Sequence, residues 1–111
     1  MELLKFLSNV KKRPEMYMAD NTSLHDLELQ LFGYDAALKA HEIEDDLDGF
    51  NVEFGRYLFK KTLWSTSRGW AEAIMDNSES PELAVETFFR FANEFLDSKG
   101  IENAIDESKV K

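Results

Sequence analysis

Cysteine is absent from this chain of 111 residues, so a disulfide framework, a thiolate nucleophile and a thiolate metal site are all excluded. Without such staples, stability has to come from a buried core, and a chain of this length can form one. There are only two prolines, Pro14 and Pro81, and five glycines, and no stretch reads as a Pro- or Gly-rich linker, so one domain is expected. No apolar run approaches the roughly 20 residues that a membrane span needs. The opening MELLKFLSNVKKRP lacks both a charged region ahead of an apolar run and a small-residue cleavage site, so no secretory signal is read there. The expected location is the cytosol, which the lack of cysteine also fits.

Positive charge is scarce as well. Thirteen basic residues face 22 acidic ones, for a net charge of −9, and the charge is uneven. Residues 1–13 sum to +3, 14–53 to −10, 54–70 to +4 and 71–111 to −6. A nucleic-acid binder draws its affinity largely from Lys and Arg on phosphates, so this balance argues against one. It permits a basic protein partner, because a field of one sign speeds encounter with its opposite, although on charge alone an acidic surface that keeps the chain soluble is the simpler reading.

Along the chain, Leu3, Phe6, Leu7 and Val10 recur at helical spacing, and Lys11, Lys12 and Arg13 close the last turn, where cations suit the carbonyl end of the helix. Pro14 disfavours helical geometry at Arg13 and ends this first helix. Met16 and Tyr17 then read as apolar pegs of a turn directed into the core. Ser23 or Thr22 caps a second helix with Asp26 in its first turn. Leu24, Leu27, Leu31, Tyr34 and Leu38 form its apolar seam. Leu29, Phe32, Ala36 and Ala37 widen that seam, so contact on more than one side is expected. Gly33 costs about 1 kcal/mol inside a helix relative to Ala, and close approach by another helix is the expected reason. Asp35 and Lys39 form an i,i+4 pair.

Residues 42–48 read EIEDDLD, five carboxylates in seven residues, followed by Gly49. This is read as an acidic loop or frayed helix end. Phe50, Phe54, Tyr57 and Leu58 predict a third helix over 50–62, with a strand as the competing reading because Val52, Phe54, Tyr57 and Phe59 partly alternate. Trp70, Ala71, Ile74 and Met75 predict a short fourth helix ending near Asp76. Ser80, Pro81 and Glu82 mark the start of a fifth, with Ala84, Phe88, Phe91, Ala92 and Phe95 as its buried face and Lys99–Gly100 as its end. The fold expected is all-α: one small bundle of about five helices over residues 1–100, with 101–111 a disordered tail.

Catalytic and metal chemistry finds little support. His25 and His41 are far apart and read as surface residues. No Gly-x-Ser-x-Gly, phosphate loop or His-Glu-x-x-His occurs. His41 and Asp45 could share a metal on a helix face, but no further ligand accompanies them. Glu44, Asp46 and Asp48 imitate the start of a calcium loop, yet its twelfth position falls on Gly55, which offers no carboxylate. No cofactor is expected. Trp64 reads either as a core plug or as an exposed anchor of the kind enriched at binding hot spots.

Arg13–Tyr17, RPEMY, followed by the helix LELQLFGYDAAL at 27–38, resembles the small bacterial immunity proteins of contact-dependent growth inhibition and other polymorphic toxin systems. The similarity extends through Phe50–Lys61, through Gly69–Ile74 and through Glu82, Ala84, Phe88, Phe89, Glu94 and Phe95. One departure is that the family usually has Gly soon after Met-Tyr, where this chain has Met18, Ala19, Asp20 and Asn21. The resemblance implies a helical immunity-type domain that is not an enzyme. Its partner would be the C-terminal domain of a cognate toxin, a basic nuclease, bound in the cytosol. On that reading Glu42, Glu44, Asp45, Asp46 and Asp48 are the expected contact residues, with Glu53 and Asp35 as neighbours. A non-catalytic adaptor or regulatory binding domain is the alternative.

Overall fold

The computed structural model describes residues 2–18, 23–40 and 49–100, and among these it has five α-helices and no strand. They are α1 (Glu2–Lys12), α2 (Leu24–Ala40), α3 (Phe50–Thr62), α4 (Trp70–Asp76) and α5 (Pro81–Ser98). The all-α bundle read from periodicity is the fold, and the strand reading of 50–62 is overturned. There the buried residues are Phe50, Phe54 and Leu58, a helical interval of four, while Val52 and Phe59 face outward.

The breaks follow local chemistry. Beyond α1 the chain turns through a 3₁₀ segment, Pro14–Met16. Met18, not Met16, is the peg of this turn: Met18 is buried and Met16 is exposed, while Tyr17 packs partly against the core, edge-on to Phe6. Gln30 of α2 donates to the Tyr17 carbonyl and so ties the turn to that helix. The Ser23 hydroxyl accepts from the Asp26 N–H at the start of α2 (3.3 Å). Ser80 does the same for Leu83 in α5 (3.1 Å), with Pro81 in the first turn.

The core is aromatic and continuous. Trp70, at the first position of α4, stacks on Phe88 of α5 with ring centroids 4.7 Å apart. Phe54 of α3 meets both edge-on, at 5.4 and 5.5 Å, and Phe50 and Phe95 extend the cluster. Such pairs add about 0.5–1.5 kcal/mol each beyond the area they bury. Trp64 packs half-buried with its ring edge-on to Phe91, so it serves the core while keeping one side in solvent.

α2 departs from expectation. Its inner row, Leu24, Leu27 and Leu31, is buried. Leu29, Phe32, Gly33, Ala36 and Ala37, read as a second packed side, are exposed. A Cβ added at Gly33 would meet nothing within 4 Å, so among the described residues no other helix approaches it.

Candidate functional site

The predicted contact residues Glu42, Glu44, Asp45, Asp46 and Asp48 lie outside the described residues, as does His41. They belong to the connection between α2 and α3. The two predicted neighbours are described, and each makes a tie inside the fold. The Asp35 carboxylate accepts from the Gly49 N–H at 3.0 Å, at the point where the chain enters α3. Gly49 has φ +77, a conformation that glycine adopts without steric cost. Glu53, in the first turn of α3, pairs with Lys99 at the end of α5 (2.8 Å).

A polar junction that the sequence did not reveal lies between α2 and α4. Asn51 donates to the Glu28 carbonyl (3.2 Å) and accepts from the indole N–H of buried Trp70 (2.8 Å). The Glu28 carboxylate accepts from the backbone N–H groups of Ala71 and Trp70, at the open N-terminal turn of α4. Burial raises the Glu28 carboxyl above its ordinary value; those N–H groups and His25 pull it back, and Glu72 adds a smaller upward push. The fit is tight. Gly69 has φ +99, and a Cβ there would stand 2.5 Å from a Glu28 oxygen. His25 sits beside Glu72 (3.0 Å), and Arg68 lies 3.9 Å from the other oxygen of Glu72. Nothing in the sequence marked Glu28, because the groups that hold its carboxylate are the backbone N–H groups of Trp70 and Ala71, 42 and 43 residues away.

Above this junction lies an open groove of about 300 Å³, lined by Glu28, Phe32, Asn51, Val52, Gly55, Thr66, Arg68, Gly69 and Trp70. It opens onto the outward sides of α2 and α3. Seven large hydrophobic side chains are exposed among the described residues, and five of them, Leu29, Phe32, Val52, Phe59 and Leu63, belong to these two helices or to the residue that ends α3. Single exposed apolar residues are ordinary, so it is their concentration on neighbouring helices that singles out this region. Among the described residues no three His, Asp or Glu side chains are grouped to hold a metal ion, and no helix is long and apolar enough to cross a membrane. The arrangement is suited to binding through shape, apolar contact and charge.

No protein-family model, curated protein or solved structure matches this chain.

Proposed function

We propose that this chain is a non-catalytic immunity protein that binds a cognate bacterial toxin domain, a basic nuclease, and blocks it through an acidic surface. The observation that carries this reading is the make-up of the α2–α3 region. A connection with five carboxylates in seven residues joins two helices whose outward sides leave Leu29, Phe32 and Val52 uncovered. Apolar anchors supply most of the binding energy in protein interfaces, and charge beside them sets encounter rate and choice of partner. A surface built to hold phosphates would accept carboxylates in their place. The tie from Asp35 to Gly49 fixes where this connection meets α3, so Asp35 contributes by positioning. The RPEMY and GYDAAL motifs, which direct the reading toward toxin neutralisation, lie in the turn after α1 and in α2.

The direct test is co-expression. The open reading frame immediately upstream of the gene is expressed with and without this chain, and the pair is then isolated by affinity. Rescue of growth together with a stable complex is the expected result. A toxic product that this chain neither binds nor neutralises would overturn the reading and leave the adaptor alternative. Within a confirmed complex, reversing several charges at 42–48 is expected to slow association, with the difference largest at low salt. An unchanged association rate would remove this segment from the site.

A further inference from the structure

We infer that the groove between α2, α3 and the start of α4 receives one arginine side chain of the partner. Its guanidinium meets the Glu28 carboxylate, and its stem lies against Phe32 and Val52. The source of that arginine rests on the reading of a basic partner, whereas the preference for a guanidinium rests on the groove alone.

Charge selects a cation. Glu28 is half-buried and lines the groove, and no Lys or Arg among the described residues pairs with it. Its carboxylate is held by the N–H groups of Trp70 and Ala71. His25, the one cationic side chain that bears on it, sits 3.0 Å from Glu72. Arg68, the other charged residue lining the groove, is largely exposed and lies 3.9 Å from Glu72. A carboxylate taken partly out of water without a cation beside it is held at a cost that an arriving cation removes. The upward push of burial on the Glu28 carboxyl has that same origin. An acidic or phosphate group would meet Glu28 and be repelled.

Shape narrows the cation to one on a long apolar stem. The groove holds about 300 Å³, with Phe32 on the α2 side and Val52 on the α3 side, both exposed. Gly55 of α3 also lines it, and a Cβ there would meet nothing within 4 Å. Glycine inside a helix costs about 0.5–1 kcal/mol relative to alanine, and here it leaves open the space that a side chain would fill. The methylenes of an arginine pack along such apolar walls while the head reaches the charge beyond them. A carboxylate accepts at about four lone-pair sites, and two backbone N–H groups occupy two of them, so two remain for the fork of a guanidinium. The planar guanidinium also stacks on an aromatic face such as that of Phe32. A lysine would bring a more strongly hydrated ammonium and no fork.

The test titrates the isotope-labelled full chain with the acetylated amides of arginine, lysine and norleucine, following the backbone N–H resonances of Trp70 and Ala71. The arginine compound should move both resonances saturably at millimolar concentration and draw the Glu28 carboxyl pKa down. Norleucine, which has the stem but no charge, should bind roughly tenfold more weakly, the worth of a hydrogen bond to a charged group. Lysine should fall between them. Glu28→Gln should leave arginine no better than norleucine. Gly55→Leu should fill the groove and abolish binding of all three, while the melting curve stays that of a folded chain, because nothing stands within 4 Å of that position. Equal binding of the three compounds overturns the inference, as does an arginine response that is absent or survives Gly55→Leu. Rescue from the toxin by a chain that shows no arginine response overturns this inference and leaves the toxin reading standing. A selective arginine response without rescue does the reverse.

Discussion

At the scale of single residues, two glycines in this chain give opposite predictions. Gly33 is exposed in the middle of α2 with nothing above it, so Gly33→Ala should stabilise the free domain by about 0.5–1 kcal/mol, read as a shift in the urea midpoint at constant slope. Gly69 has φ +99 and the Glu28 carboxylate against it, so Gly69→Ala should destabilise by about 1–3 kcal/mol in the same experiment. Asn51→Ala leaves the buried Trp70 N–H without its acceptor and should cost about 1–3 kcal/mol. Glu28 predicts a pH dependence whose sign follows from its raised pKa. The folded state holds this proton more tightly than the unfolded chain does, so protonation favours folding. Relative to Glu28→Gln, the wild type should gain melting temperature as pH falls through the raised folded value. The gain should be complete below about 4.5, the ordinary value to which the unfolded chain returns. A difference between the two proteins that does not change with pH would show that Glu28 is not held as described. The cost of Gly33 was legible in the sequence; the roles of Gly69, Asn51 and Glu28 were not, since each depends on which distant backbone atom, carboxylate or ring arrives beside the residue.

At the scale of elements, legibility was much higher. Ser80-Pro81-Glu82 announced α5, and Ser80→Ala should cost about 1 kcal/mol because the Leu83 N–H loses its acceptor. Pro14 announced the end of α1, and the interval of four among Phe50, Phe54 and Leu58 announced α3. These signals are local, so they survive any packing. α2 was harder to read because it is apolar on two opposite sides. Periodicity shows that both sides want cover, but only packing decides which side receives it within the chain. Leu24, Leu27 and Leu31 won, and Phe32 and Ala36 stayed outside. In the turn after α1 the expected pegs were half right: Tyr17 packs partly against the core, but the second peg is Met18 and Met16 is exposed, a choice that the path of the 3₁₀ turn makes and that no periodicity marks. Of the candidate site, the residue types and their clustering at 42–48 were legible in the sequence. It did not show that Asp35 and Glu53 are engaged with Gly49 and Lys99.

At the scale of the whole molecule, a continuous aromatic cluster joins α3, α4 and α5, so stability should be cooperative and sensitive at its centre. Phe54 touches Phe50, Trp70, Phe88 and Phe95, and Phe54→Ala should cost about 3–5 kcal/mol in chemical denaturation. The same cluster has a spectroscopic consequence. The chain has two tryptophans in contrasting settings: Trp70 is sealed against Phe88, and Trp64 lies half in solvent beside Leu63. Their emissions should separate by wavelength, and Trp64→Phe would leave a single fluorophore that reports unfolding alone. Conversely, anything that settles over the end of α3 should shift Trp64 to the blue and leave Trp70 untouched. With no native thiol to compete, a lone cysteine placed on the outer surface would take a label cleanly. The fold thus carries two optical probes, one that reports folding and one that reports contact at its outer surface.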